Sequence, residues 1–182
     1  IRIGLQALAL GTGMGVIFGV VSASNKNTWM DTLATVVAII GVSIPSYVFA
    51  LLLSYTFGYK IPIFSIIFDF NDPLKSSILP TIALSMFVMA QVTRFLRTEL
   101  IEVLGSDYIR LVEAKGVNRF KVIARHGLRN ALISVITILG PLTVTLLTGS
   151  LVVEKVYAVP GIGSLLVNAI LTNDYNVIVM IA

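Results

Sequence analysis

The residues of this sequence that could bind a charged partner are concentrated between Arg94 and Asn130. This stretch, called the basic segment below, holds eight of the thirteen basic residues and four of the nine acidic ones. The basic residues are Arg94, Arg97, Arg110, Lys115, Arg119, Lys121, Arg125 and Arg129. Clustered Lys and Arg attract nucleic acid, anionic lipid headgroups or acidic protein surfaces. The long apolar stretches on both sides favour a membrane setting and argue against nucleic acid.

Other kinds of chemistry have no residues to carry them. The sequence has no cysteine, which excludes disulfides, thiol nucleophiles and cysteine metal sites. It has no GxxxxGK(S/T) phosphate loop and neither the HExxH nor the GxSxG hydrolase motif. We expect the single histidine, His126, to be solvated or to cap a helix, because a metal site needs about four ligands. We therefore predict no enzyme activity and no catalytic, cofactor-binding or metal-binding residue.

Apolar stretches near the length that crosses a bilayer recur along the chain. The sequence is 57% hydrophobic and 12% charged, whereas a soluble domain has about 25% charged residues. We predict an all-α, polytopic transmembrane helical bundle with about five spans. The spans are about Ile3–Ala23, Leu33–Phe57, Ile78–Val92, which can borrow length from residues 95–104, Ala131–Val153, and a fifth that begins near Tyr175. Because the sequence starts at Ile1 and stops inside an apolar run, we expect a fragment of a longer chain.

The predicted spans contain essentially no ionisable residues. Ion-driven carriers and proton relays usually need such a group within the membrane, so a self-contained ion-coupled carrier is disfavoured. Three possibilities remain for a polytopic chain with no visible source of energy. It is a self-sufficient channel or facilitator, a membrane protein driven by another protein through its cytoplasmic surface, or a membrane scaffold without transport activity.

The distribution of Lys and Arg predicts the orientation. Cytoplasmic loops carry the excess of Lys and Arg, which places the basic segment, residues 94–130, in the cytoplasm. The connection Ser22–Asp31 lies two spans away and is expected on the same side, whereas Gly58–Ser77 and Glu154–Asn176 are expected outside.

Small residues and prolines within the spans predict helix packing and kinks. Gly11, Gly15 and Gly19 are four residues apart, a spacing that lets a second helix approach one face of the first closely. Pro45 and Pro141 lack a backbone donor, and each is expected to kink its helix.

The basic segment itself predicts a helix, a glycine turn and a second helix. Ser106 or Asp107 can cap a helix over Tyr108–Lys115, Gly116 can end that helix, and Asn118 can cap a second helix over Arg119–Leu128. The tip of this finger is Ala114, Lys115, Gly116, Val117 and Asn118. Small residues and an exposed valine suit insertion into the groove of a partner. An amphipathic helix pair lying on anionic headgroups is an equally consistent interpretation.

The stretch Tyr108–Pro141, YIRLVEAKGVNRFKVIARHGLRNALISVITILGP, resembles the cytoplasmic signature of the membrane subunits of ABC-type, binding-protein-dependent importers. It is especially similar to the dipeptide, oligopeptide and nickel permease group. Gly116 matches the glycine of the signature and Leu128 the leucine of its closing segment. The chain departs from the signature at Arg110, Leu111 and Val112, which stand where Glu-Ala-Ala is usual, and at His126 and Arg129, which stand for Ile and Pro. Further similar stretches are Asp31, Gly41–Tyr47, Ile78–Pro80, Arg94-x-x-Arg97, Val152–Gly163 and Asn173–Tyr175.

The resemblance implies a single transmembrane permease domain over residues 1–182, in a bacterial or archaeal plasma or inner membrane, in a full chain of six spans. It implies a translocation pathway shared with a second homologous permease, two cytoplasmic ABC ATPases, an extracytoplasmic substrate-binding protein and surrounding membrane lipid. The tip, flanked by Arg110 and Arg119, would contact an ATPase. Di- or oligopeptides are the implied substrate, and a nickel chelate or glutathione is the alternative.

The outer segment around Tyr157, Pro160, Gly161 and Gly163 is rich in turn-forming residues. Irregular backbone at the edge of a membrane needs protein or water to satisfy its polar groups. The segment is a candidate outer gate or contact for the binding protein, and an ordinary loop is the alternative.

Overall fold

The computed structural model describes residues 1–147 and 151–181, and every regular element in these ranges is helical. The first five helices are α1 (Arg2–Ser24), α2 (Trp29–Ser43), α3 (Ser46–Leu53), α4 (Pro73–Ser76) and α5 (Ile78–Leu104), and α3 continues as a π-helical segment over Ser54–Lys60. The others are α6 (Asp107–Ala114), α7 (Arg119–Lys121), α8 (Leu128–Leu147), α9 (Leu151–Val156), α10 (Ile162–Leu171) and α11 (Tyr175–Ile181). A second π-helical segment, Val122–Gly127, joins α7 to α8 without a break.

In the part of the chain that the structure describes, three stretches are long and apolar enough to cross a membrane: Arg2–Ser24, Pro73–Leu104 and Arg119–Val156. They contain the predicted first, third and fourth spans, although residues 148–150 of the fourth lie outside the described residues. The third stretch extends well beyond Val92, because no proline or glycine interrupts the sequence between Pro80 and Gly105. The predicted fifth span begins at Tyr175 as α11.

Pro45 and Pro141 differ in their position relative to the helices, because Pro45 separates two helices and Pro141 lies inside one. Pro45 was expected to kink one continuous second span, but α2 ends at Ser43 and Pro45, with φ −57° and ψ 138°, is the N-cap of α3. The missing N–H of proline and the steric restriction on the residue before it account for the interruption. Pro141, in contrast, lies inside α8.

The packing of Cα atoms divides the chain into two compact units. One unit consists of Ile1–Leu10, Ile44–Met86 and the residues from Leu142 onward, and the other consists of Gly11–Ser43 and Phe87–Pro141. The basic segment lies entirely in the second unit, and the outer segment lies entirely in the first.

In the second unit, α1 packs closely on α5 through two glycines. A Cβ atom on Gly15 would lie 2.6 Å from the Cβ of Val92, and one on Gly19 would lie 2.9 Å from the Cβ of Leu96. Both partners are fully buried, and Gly11 of the same stripe is buried as well. Because α1 has no side chain at these two positions, the backbones of α1 and α5 approach each other closely.

Large apolar side chains are exposed along the long helices. Ile17 is 63% exposed, Ile133 64%, Ile136 67% and Val144 63%. A water-soluble protein seldom exposes so many large apolar side chains along its helices, whereas a membrane protein presents such side chains to lipid or to other subunits.

Candidate functional site

The turn at the tip of the basic segment is built by two local signals. Helix α6 ends at Ala114, and the N–H of Gly116 donates to the carbonyl of Glu113 at 2.9 Å. Gly116 has φ +76°, the left-handed conformation that glycine adopts at little cost. Asn118 then starts the next helix, because its Oδ1 accepts a hydrogen bond from the N–H of Phe120 at 2.9 Å. The helix–turn–helix predicted for the basic segment is thus present.

The tip is open to solvent. Ala114, Lys115, Gly116 and Asn118 are exposed, and no heavy atom lies within 4 Å of a Cβ placed on Gly116. Val117 was expected to be exposed, but it is half-buried. A side chain at position 116 would therefore not collide with any other part of the described chain. It would be disfavoured by the positive φ of this position, and it would collide with a partner that approaches the turn closely.

The finger differs from the prediction at both of its helices. Ser106 is the N-cap residue of α6, as one of the two predicted alternatives, but its hydroxyl makes no capping bond and donates to the Val103 carbonyl at 2.6 Å, whereas Asp107 accepts from Arg110. The second helix also does not end at Leu128. It runs from Arg119 through the π-helical segment into α8 without a break. A Cβ added at Gly127 would lie 3.0 and 3.1 Å from the side chains of Leu100 and Leu104 of α5, so this part of the helix packs closely on α5.

The two predicted flanking charges already have partners in the chain. Arg110 forms an ion pair with Asp107 at 3.2 Å, and both side chains are largely exposed, 72% and 94%. Such a pair contributes about 0–1 kcal/mol, so Arg110 can exchange its partner easily. Arg119 donates to the Ser24 carbonyl at 3.5 Å, which connects the start of α7 to the end of α1.

A partly buried ion pair that the sequence analysis did not predict joins Arg97 of the basic segment to Asp31. Asp31, 4% exposed in the first turn of α2, accepts from Arg97 of α5 through Nε at 2.7 Å and Nη2 at 2.8 Å. It also accepts from the Ser22 hydroxyl at 2.5 Å and from the Asn27 N–H at 2.9 Å. The carboxylate thereby joins the end of α1, the start of α2 and the middle of α5. No spacing pattern in the sequence connects Asp31 to Arg97. The one available signal was that an acidic and a basic residue each lie at the end of an apolar stretch, where charged residues tend to pair.

The outer segment is anchored by Tyr157. Its side chain is 1% exposed, its hydroxyl donates to the Ala50 carbonyl at 2.8 Å, and its own carbonyl accepts from the Phe68 N–H at 2.8 Å. Burial raises the pKa of Tyr157 to about 12, so the hydroxyl keeps its proton at physiological pH. The next residue, Ala158, has φ +51°, a conformation that a non-glycine residue rarely adopts.

Gly161 and Gly163 lie against the carboxylate of Glu154, which accepts from the Ser164 N–H at 2.9 Å in the first turn of α10. A side chain on either glycine would collide with Glu154 or with Leu151. Gly163 is buried, whereas Pro160 is exposed. The structure thus gathers the four predicted outer residues into one ordered segment, of which Tyr157 and Gly163 are internal and Pro160 is external.

Among residues 1–147 and 151–181, no three His, Asp or Glu side chains are placed to hold a metal ion.

Comparison with known proteins relates this arrangement to membrane transport. Residues 15–182 match the family described as binding-protein-dependent transport system inner membrane component. The chain is 42% identical over 177 residues to the dipeptide transport system permease protein DppB of Lactococcus lactis subsp. cremoris, covering 97% of the chain and 58% of the relative. It is 40% identical to DppB of Bacillus subtilis, covering 97% and 57%. It is 39% identical over 184 residues to the oligopeptide transport system permease protein OppB of Escherichia coli K12, covering 97% and 58%. The chain thus spans less than two thirds of the length of these relatives.

Proposed function

The chain belongs to the family of binding-protein-dependent transport system inner membrane components, and on that premise we propose that it is a permease subunit of an ATP-driven importer of dipeptides or oligopeptides. It forms the translocation pathway with a second, homologous permease. An extracytoplasmic binding protein delivers the peptide, and two cytoplasmic ATPases supply the energy. The peptide assignment is supported by the relatives named dipeptide and oligopeptide permeases.

The observation that carries the proposal is the exposed turn at Gly116 followed by an unbroken helix. From Arg119 the backbone is helical through the π-helical segment into α8, and no loop intervenes before residues of the candidate span. A partner that pushes on the turn therefore pushes on the span itself. Chemical work is done on the ATPase, and the permease alternates between two arrangements whose balance the ATPase biases.

The proposed contact with the ATPase consists of Ala114, Lys115, Gly116, Val117 and Asn118. Arg110 and Arg119 flank this tip as charge partners for the ATPase. Because the Asp107–Arg110 pair is exposed and weak, Arg110 can bind the ATPase instead. Arg119 donates a hydrogen bond to the Ser24 carbonyl, so an ATPase that moves Arg119 would also displace the end of α1. The basic segment faces the cytoplasm in this arrangement.

At the opposite side of the membrane, we assign the outer segment to contact with the binding protein or to the outer gate. Pro160 is exposed and available for contact. The shape of the segment is fixed by two sets of contacts. Tyr157 donates to the Ala50 carbonyl, and the carboxylate of Glu154 packs against Gly161 and Gly163.

Substitutions at Gly116 test the coupling. In the full-length permease assembled with its partner subunits, we expect Gly116→Leu to abolish peptide uptake and peptide-stimulated ATP hydrolysis while membrane insertion is retained. Gly116→Asn distinguishes loss of the turn conformation from steric exclusion of the ATPase. Asparagine tolerates a positive φ but adds a side chain. If close approach of the ATPase matters, the asparagine variant fails as well.

Gly105→Ala is the matched control. Gly105 lies at the other end of α6, its φ is not positive, and a Cβ there would make only ordinary contacts at 3.4–3.5 Å. We expect this variant to transport normally. A fully active Gly116→Leu variant would refute the docking role. Peptide equilibration by the purified chain without ATP would instead favour a self-sufficient facilitator.

A further inference from the structure

A cleft in the second unit carries cationic groups that the proposed coupling does not use. It lies where α6 faces the π-helical segment and the start of α8, and it encloses about 380 Å³. Its lining residues are Tyr108, Arg125, His126, Arg129, Asn130 and Ile133. We propose that this cleft binds the phosphate headgroup of an anionic phospholipid, with the acyl chains along α8.

Among the residues that the structure describes, no carboxylate pairs with the arginines of the cleft. Within the described residues, the ion pairs at 4 Å or less are Asp31–Arg97 and Asp107–Arg110. Arg125 and Arg129 belong to neither, and both are exposed. Two guanidinium groups one helical turn apart, unpaired and open to the outside, favour an anion with several oxygen acceptors.

The wall of the cleft is held in place. The Tyr108 hydroxyl donates to the His126 carbonyl at 3.1 Å and accepts from the Asn130 Nδ2 at 2.6 Å. These two bonds tie α6 to the helix that carries both arginines. The π-helical segment places one more residue in the turn at Arg125 and His126 than an α-helix would, and such segments are frequent at functional sites. The two bonds therefore fix the wall of the cleft, whereas the side chains of Arg125 and Arg129 are exposed at its opening.

The sequence of side chains along this face identifies the ligand as a lipid. Arg125, Arg129 and Ile133 follow one another at intervals of four residues, so they lie on one face. Ile133 is 64% exposed and Ile136, in the next turn, is 67% exposed. A charged end followed by an exposed apolar track matches a phosphate followed by acyl chains. Free phosphate would leave both isoleucines uncovered.

The test measures lipid binding by the full-length permease. The protein is placed in nanodiscs of phosphatidylcholine with increasing phosphatidylglycerol, and bound anionic lipid is counted by native mass spectrometry after release. We expect an Arg125→Gln/Arg129→Gln variant to bind phosphatidylglycerol about tenfold to thirtyfold more weakly, since each basic residue near the surface contributes about 1 kcal/mol. Lys121→Gln, exposed on the same helical run but outside the cleft, is expected to retain binding.

Three results would overturn the assignment. Equal losses of binding free energy per removed charge in the arginine and Lys121 variants would show a general effect of net charge. Displacement of the lipid by millimolar inorganic phosphate, with no effect of Ile133→Asn, would show a site for free phosphate. Unchanged lipid binding with weakened ATPase association in the arginine variant would assign the cleft to the ATPase.

Discussion

Arg97 holds Asp31 through two parallel hydrogen bonds, Nε to Oδ1 at 2.7 Å and Nη2 to Oδ2 at 2.8 Å. The two residues are 66 positions apart, on α5 and α2. The serine and amide donors from the end of α1 and the α1–α2 connection complete the acceptor capacity of the carboxylate. Three helices thus meet at the buried carboxylate of Asp31, and the basic segment contributes Arg97 to this contact.

Asp31→Asn is expected to destabilise the protein by about 3 kcal/mol, because it leaves the Arg97 guanidinium partly buried without a counter-charge. Thermal unfolding of the detergent-solubilised protein measures the loss. Asp107→Asn is the matched control, since it breaks an exposed aspartate–arginine pair and should leave Tm unchanged. The double variant Asp31→Asn/Arg97→Gln should lose less stability than the sum of the losses of the two single variants. Additive losses, or equal losses for Asp31 and Asp107, would contradict the structural role of the pair.

Gly15→Ala is expected to weaken the packing of α1 on α5 by about 1–3 kcal/mol, because the new methyl group would overlap Val92. Gly13→Ala, on the same helix, has no heavy atom within 4 Å of the new Cβ and should be neutral. The comparison is made by Tm and by the monodisperse fraction after purification. Equal stability of the two variants would show that α1 and α5 are not closely packed at Gly15.

Tyr157→Phe is expected to change the pH dependence of stability. The native pKa of about 12 lies above the ordinary value of about 10, so the unfolded state releases this proton first as the pH rises. The stability of the native protein should therefore fall between about pH 10 and pH 12 relative to the phenylalanine variant. At pH 8 the variant should be less stable by about 1 kcal/mol through loss of the bond to the Ala50 carbonyl. Parallel pH profiles for the two proteins would mean that Tyr157 is not buried.

Single-cysteine labelling tests the orientation, and the chain has no native cysteine to interfere. Asn118→Cys at the exposed tip should resist a membrane-impermeant maleimide in intact cells and react after permeabilisation, because the basic segment is expected in the cytoplasm. Asn71→Cys, exposed in the connection expected outside, should react in intact cells. The opposite pattern would reverse the orientation.

Local signals made much of the fold predictable from the sequence. The apolar runs gave the positions of α1 and α5, and Asn118 marked the start of α7 because its capping bond is made within two residues. The turn at Gly116 was predictable for the same reason, since a positive φ is a property of the residue itself.

The features that escaped prediction depend on contacts between distant residues. The second helix of the basic segment was expected to end at Leu128, yet the helix continues through this point into α8. Gly127 lies there against Leu100 and Leu104 of α5, which are more than twenty residues away in the sequence. Tyr157 was expected in a gate or loop, and only the distant Ala50 carbonyl reveals it as an anchor. The pairing of Asp31 with Arg97 likewise leaves no local pattern.

The π-helical segment Val122–Gly127 has a consequence for how this chain can vary in length. Its hydrogen bonds span five residues where those of an α-helix span four, so it stores one surplus residue within a continuous helix. Deleting a single residue there would let the turn tighten to ordinary α-helix, leaving the faces of α7 and α8 in nearly their present angular register. The same deletion within α8 would rotate every following side chain by about 100°.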